Sequence, residues 1–184
     1  MHVTTGRAKG RTIKSVPGDL TRPVTDRVKQ AVFNIIADDV IGSLWLDMFA
    51  GTGAIGIEAL SRGARGVTFI DQEQRAIETI KANLVTTHLT QNARVIRQDA
   101  FHYINAFPNS SYDFIYIAPP QYKGLWIDAL LALDRQSKWL APGGAIIVQL
   151  DPHEYHDVAL LALELLDQRR YGSTMLCFYE HIST

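Results

Sequence analysis

A single cysteine, Cys177, rules out an internal disulfide and leaves no basis for a cysteine-built zinc cluster. It reads as a small buried hydrophobe in a late strand. No run of about 18 consecutive apolar residues, the length a membrane-spanning helix needs, occurs anywhere, and the amino terminus carries no apolar signal region. A soluble protein of the cytoplasm is therefore expected. Histidines are few and scattered: His153 and His156 stand three apart on a weak helix expected past Asp151-Pro152, but no third ligand and no Glu-containing zinc motif accompanies them. No metal is expected. A nucleophile elbow with a Ser-His-Asp order is also missing, so nothing points to a covalent intermediate.

What is present is ordinary globular material, 184 residues with 47% hydrophobic and 20% charged, enough for one domain over residues 1–184 with a sizeable core. Its net charge of −1 conceals an uneven distribution. Residues 1–30 hold seven basic side chains, Arg7, Lys9, Arg11, Lys14, Arg22, Arg27 and Lys29, against Asp19 and Asp26. A basic arm on an acidic body suits a polyanion, because Lys and Arg gain affinity by displacing phosphate counterions; a merely solvated hairpin is the alternative. Residues 3–16 alternate loosely around Gly6-Arg7-Ala8-Lys9-Gly10, which predicts a β-hairpin with a basic tip, an extension over residues 1–20.

The chain is organised around Leu44-Trp45-Leu46-Asp47-Met48-Phe49-Ala50-Gly51-Thr52-Gly53-Ala54, an apolar run that ends in an acid before glycines open a helix. A strand, a tight turn and a helix in that order leave backbone N–H groups and a carboxylate at the carboxyl edge of a sheet, where open α/β folds bind nucleotides. Gly51, Gly53 and Gly56 also fit the dinucleotide spacing, so a dinucleotide-dependent oxidoreductase stays open. Asp47 argues for the other adenosine cofactor, S-adenosylmethionine, because a carboxylate there repels a pyrophosphate and suits a cationic amino-acid end.

Further acids fall at the same edge. Apolar strands are predicted over 44–48, 67–70, 93–97, 112–117 and 145–150, with helices over 55–61, 73–84 and 125–133 between them. Thr25 caps an earlier helix running to about Asp38, and its lead-in from Thr21 reaches toward the pocket. Asp71 ends the second strand, about twenty residues past Gly51, the spacing of a ribose-binding acid. Asp99 follows the third strand and can accept the adenine amino group; Asp47, Asp71 and Asp99 together are hard to explain as surface solvation. The fourth strand stops at Ala118-Pro119-Pro120-Gln121-Tyr122, where two prolines force a rigid loop out of the sheet. Two terminal strands over 163–170 and 173–181 join at Tyr171-Gly172. Five βα units followed by a hairpin predict an α/β fold with a mostly parallel seven-stranded sheet and one antiparallel strand, plus the N-terminal hairpin and helix.

These features resemble a Rossmann-like class I methyltransferase, and more narrowly the RsmD family of S-adenosylmethionine-dependent small-subunit ribosomal RNA guanine-N2 methyltransferases. The resemblance rests on Arg22-Pro23-Val24-Thr25-Asp26-Arg27, on Leu46-Asp47-Met48-Phe49-Ala50-Gly51-Thr52-Gly53 through Gly63, and on Arg169-Arg170-Tyr171-Gly172. It implies that Asp47, Gly51 and Gly53 hold the methionyl end, Asp71 the ribose, and Asp99 with Ala100 the adenine, with Phe49 and Gln72 also among the cofactor-binding residues. Thr25 and Arg27 would fold over the cofactor. It also implies a monomer whose Arg7, Lys9, Arg11, Lys14 and Arg22 hold ribosomal RNA or the assembling small subunit. One departure stands out: the family has Asp or Asn before Pro-Pro-Tyr or Pro-Pro-Phe, and this chain has Ala118 before Pro119-Pro120-Gln121-Tyr122. Three readings follow. Backbone carbonyls of Ala118 and Pro119 and the Gln121 amide orient the amine while Tyr122 stacks on the base; or the protein binds without transferring; or another amine is the acceptor.

Overall fold

In the computed structural model, which describes residues 1–18, 24–108 and 110–183, the apolar runs meet in one seven-stranded sheet. Its strands are β1 (Leu44–Asp47), β2 (Gly66–Asp71), β3 (Ala93–Arg97), β4 (Tyr112–Ile117), β5 (Leu140–Leu150), β6 (Leu163–Tyr171) and β7 (Thr174–His181). Their spatial order is β3-β2-β1-β4-β5-β7-β6. Strands β1 to β5 pair in parallel, while β7 runs antiparallel to both β5 and β6, so β7 is the one reversed strand. The order changes direction between β1 and β4, and that switch opens a crevice at their carboxyl ends.

Helices α1 (Asp26–Ile36), α2 (Ala54–Ser61), α3 (Gln74–Thr87), α4 (Ala100–Asn105) and α5 (Leu125–Arg135) cover the sheet. Because strand side chains alternate faces, Trp45, Phe69 and Tyr116 enter one core with Val32 of α1 and Ile57 of α2. Leu46, Ile70, Ile115 and Ile117 enter the other with Ile104 of α4 and Leu130 of α5. Apolar residues on both faces are what a central parallel sheet requires. No helix among the described residues is long and apolar enough to cross a membrane.

The N-terminal hairpin is shorter than the alternation implied. Met1–Val3 pair with residues 11–13, through Val3 N–H to the Arg11 carbonyl and Ile13 N–H to the Met1 carbonyl, both at 2.9 Å. Beyond Ile13 the backbone turns to a different partner, the side chain of Asn83. The intervening turn is docked on the molecule: the buried Glu58 carboxylate accepts from Thr4 N–H (2.9 Å) and Thr5 N–H (3.0 Å), and Arg7 N–H reaches the Ser61 carbonyl (2.9 Å). Glu58 is balanced by Arg62 at 2.9 Å and by the fully buried Lys29 at 3.4 Å.

Three local expectations are corrected. Asp99 caps a short helix, α4, that periodicity did not show. The helix expected past Pro152 is only the single 3-10 turn Pro152–Glu154. The Asp134 carboxylate collects the N–H groups of Leu161, Ala162 and Leu163, which holds the chain extended into β6. Strand β5 starts at Leu140 rather than 145, because a register irregularity at Tyr112/Phe114 accommodates Pro142-Gly143-Gly144 within it. The residues Thr21, Arg22 and Pro23 of the lead-in lie outside the described residues.

Candidate active site

At the end of β1, Asp47 lies between Phe69 of β2 and Tyr116 of β4 and is 2% exposed. Burial pushes its carboxyl up to about 7; the Gly56 amide pulls it down, and the charge of Asp71 raises it again. Among the described residues it has no ion-pair partner. A buried acid in that condition is a demand for a cation. The next residues form the tight turn: Gly53 N–H closes on the Ala50 carbonyl at 2.7 Å, and Gly51 and Gly53 take φ of +54° and +77°, which glycine adopts without a Cβ penalty. Gly53 then caps α2.

Asp71 ties this turn to the second strand. Its Oδ2 accepts from Gly51 N–H and its Oδ1 from Glu73 N–H, both at 2.9 Å, and each oxygen keeps a further lone pair. Gln72 beside it is exposed, and its carbonyl accepts from Arg97 Nε at 3.2 Å. Asp99 Oδ1 accepts from His102 N–H at 2.8 Å, capping α4, while Ala100 is buried. Phe49 meets Phe101 edge-on, with ring centroids 6.1 Å apart. Phe101 escaped the sequence reading, although it follows Asp99-Ala100 directly.

The loop leaving β4 meets the lead-in to α1. Gln121, Thr25, Gln149, Asp151 and Thr174 line a single cleft. Thr25 also caps α1, its Oγ1 accepting from Val28 N–H at 3.3 Å; Arg27 lies exposed in the first turn. In the loop Ala118 and Pro119 are half-buried, and Pro120 is exposed. Tyr122 has φ +59°, a strained backbone for a bulky residue, and the residue is 67% exposed. Two acids hold it there: its N–H donates to Glu154 Oε1 (2.6 Å) and its hydroxyl to Asp151 Oδ2 (2.8 Å).

Asp151 is the functional candidate that sequence reasoning missed. Its Oδ1 accepts from His153 N–H at 2.9 Å and pairs with His153 Nδ1 at 2.8 Å. These donors, led by the His153 N–H and then Tyr122, hold its carboxyl at about 2. The signal was available: it is another acid directly after a strand, at the edge already occupied by Asp47, Asp71 and Asp99. Below the cleft the Tyr116 hydroxyl donates to Gln149 Oε1 at 2.5 Å, and burial followed by the charge of Asp47 raises its pKa well above the ordinary value. His153 and His156 do not form a pair, because His153 turns to Asp151 and His156 packs edge-on to Trp126 at 5.6 Å.

On the basic arm, Arg7, Lys9, Arg11 and Lys14 are exposed, and Arg11 Nη1 donates to the Thr86 carbonyl at 2.8 Å. The fully buried Asn83 of α3 joins the arm to the glycine turn. Its Oδ1 accepts from Lys14 N–H (2.8 Å), and its Nδ2 donates to the carbonyls of Lys14 (3.0 Å) and Thr52 (2.9 Å). Asn83 carries no sequence signature, since it acts through backbone groups far away along the chain; Glu58 falls within the block that carries the family resemblance, but its hold on the arm depends on groups more than fifty residues away.

The family model described as conserved hypothetical protein 95 matches residues 1–180. The chain belongs to that family. The chain is similar to YlbH of Bacillus subtilis (strain 168), named among rRNA methyltransferases, which is 38% identical over 182 residues, covering 98% of both chains. Ribosomal RNA small subunit methyltransferase D of Escherichia coli (strain K12) is 33% identical over 144 residues, 78% of this chain and 71% of the relative. The solved structure of yhhF from Escherichia coli, assigned as a methyltransferase, superposes with a TM-score of 0.87 at 28% identity, covering 98% of this chain and 97% of that one. The RsmD resemblance and the Rossmann-like methyltransferase fold are both borne out, and family membership sets the dinucleotide reading aside.

Proposed function

We propose that this protein methylates the exocyclic N2 of a guanine in small-subunit ribosomal RNA, with S-adenosylmethionine as donor. The observation that carries the donor is Asp47, a buried carboxylate at the mouth of a glycine turn with no ion-pair partner among the described residues. The residues fit the group: at Gly51 no atom of the described residues lies within 4 Å of where a Cβ would stand, so the turn offers open space among them. Asp47, Gly51 and Gly53 would hold the methionyl end. Asp71, with Gln72 beside it, would take the ribose hydroxyls, and Asp99 with Ala100 and Phe49 the adenine. Thr25 and Arg27 would close the lead-in over them. Bound donor supplies an electrophilic methyl on a sulfonium that departs as a neutral thioether. What remains for the protein is alignment and exclusion of water.

The acceptor side belongs to residues 118–122. A guanine N2 lone pair is delocalised into the ring, so the amine must be turned toward the methyl. Gln121 reaches the cleft, which supports its amide oxygen as one acceptor, alongside the carbonyls of Ala118 and Pro119. A guanine flipped out of its stack would enter beside Pro120 and lie against the exposed Tyr122 ring. Arg7, Lys9, Arg11, Lys14 and Arg22 would hold the RNA backbone. The RNA substrate is supported by relatives named as rRNA methyltransferases.

The test is incubation with labelled donor and undermethylated small subunits, followed by digestion of the RNA. Labelled N2-methylguanosine is the expected product; transfer to another acceptor, or none, would overturn the proposal. Gln121→Ala should lower turnover while leaving S-adenosylhomocysteine affinity unchanged by calorimetry.

A further inference from the structure

Strands β4 and β5 run in parallel with Ile117 opposite Val148, so Ala118 and Asp151 leave the sheet at the same edge. Ala118 offers no side-chain acceptor, and the acceptor amine of the proposed reaction has two N–H groups to hold. We infer that the Asp151 carboxylate is the catalytic acceptor for the target amine, standing in for the polar side chain that position 118 lacks. The inference rests on the guanine-N2 reading above.

Three observations carry it. Asp151 lines the same cleft as Gln121 and Thr25, and its side chain is 14% exposed. Its orientation is fixed from two sides. Among the described residues, Oδ1 is occupied by the His153 N–H and Nδ1, whereas Oδ2 takes the Tyr122 hydroxyl and keeps one acceptor position. Finally, Tyr122 is held at a strained φ of +59° by the hydrogen bonds to Glu154 and Asp151, so the loop that would receive the base and the carboxylate that would receive its amine form one unit.

The step balances without another reactant. As the nitrogen lone pair forms the N–C bond, the S–C bond breaks and its electron pair stays on sulfur. The amine, now bearing a methyl and two protons, is cationic. A carboxylate hydrogen-bonded to one N–H before transfer stabilises that charge as it develops and receives the departing proton, which passes to water.

The experiment compares Asp151→Ala, Asp151→Asn and the double variant Ala118→Asn/Asp151→Ala with wild type on undermethylated small subunits. Asp151→Ala should lower kcat about 10²-fold with the affinity for S-adenosylhomocysteine unchanged. Asp151→Asn, which keeps an acceptor oxygen, should lose less. Ala118→Asn should recover about tenfold of the activity lost in Asp151→Ala. An Asp151→Ala protein within about threefold of wild type would overturn the assignment, as would a loss that merely follows weaker cofactor binding or a lower Tm. Wild-type protein that makes no N2-methylguanosine would sink the functional reading itself, whereas active wild type with an equally active Asp151→Ala sinks only this inference.

Discussion

Asp47 gives the cofactor site a pH dependence whose sign follows from its burial. The carboxyl sits at about 7 in the folded protein against an ordinary 3.8. In the window between those values the folded state keeps a proton that the unfolded chain has lost, so stability falls as pH rises. The contribution is complete below the ordinary value and gone once pH passes through 7. A cationic ammonium needs the ionised form, so affinity for S-adenosylhomocysteine should rise between about pH 6 and pH 8, with proton release in the lower half of that range. Calorimetry in two buffers of different ionisation enthalpy reads that proton directly. Asp47→Asn should abolish the release, flatten the pH slope of Tm and weaken binding by about 1.5–3 kcal/mol. A wild-type affinity independent of pH would remove Asp47 from the ammonium site. At this scale the chain was partly legible. Asp47, Asp71 and Asp99 announce themselves because an acid directly after an apolar run must lie at a sheet edge. The use of Asp151 depends on where Tyr122 and His153 end up, and no local pattern records that.

Elements were legible wherever periodicity and termini agreed. Residues 93–97 and 112–117 are strands to the residue, since turn residues bound each apolar run. Gly56 shows why the third glycine of the turn motif is needed for packing and not for the cofactor: a Cβ there would stand 2.3 Å from Phe69 Cε1. The N-terminal arm was legible only as charge and alternation, because its anchors are side chains on α2 and α3. Glu58 and Asn83 fix it by accepting and donating to backbone groups, and Val3, Ala8 and Ile13 complete the attachment by entering the core. Asn83→Ala therefore leaves the N–H and carbonyl of Lys14 and the carbonyl of Thr52 without that partner. It should cost about 2–4 kcal/mol, the scale of a few buried groups losing their hydrogen bonds. Thermal unfolding measures the loss, and amide exchange should quicken at residues 13–16 and in the glycine turn together. Exchange that quickens in the arm alone would mean that Asn83 does not couple the two.

Across the whole molecule, a net charge of −1 would predict weak affinity for RNA if the charge were spread evenly. The positive charge is instead concentrated in an arm clamped over α2 and α3 beside the glycine turn, so the basic side chains are presented on a rigid support. Their attachment is by backbone, through Lys14 N–H and the N–H groups of Thr4, Thr5 and Arg7. The side chains of Arg7, Lys9 and Lys14 are thus separable from the fold, which permits a clean test. Each Lys or Arg that neutralises a phosphate contributes about 0.7–0.9 to the slope of log affinity against log salt. Replacing Arg7, Lys9 and Lys14 by alanine should flatten that slope by about two and raise the KM for undermethylated subunits, while kcat, Tm and S-adenosylhomocysteine affinity stay at wild-type values. Binding followed by fluorescence anisotropy across a salt series makes the comparison. An unchanged slope would place the phosphate contacts on another face and leave the arm a structural brace, held by Glu58 and Asn83 for the sake of the glycine turn alone.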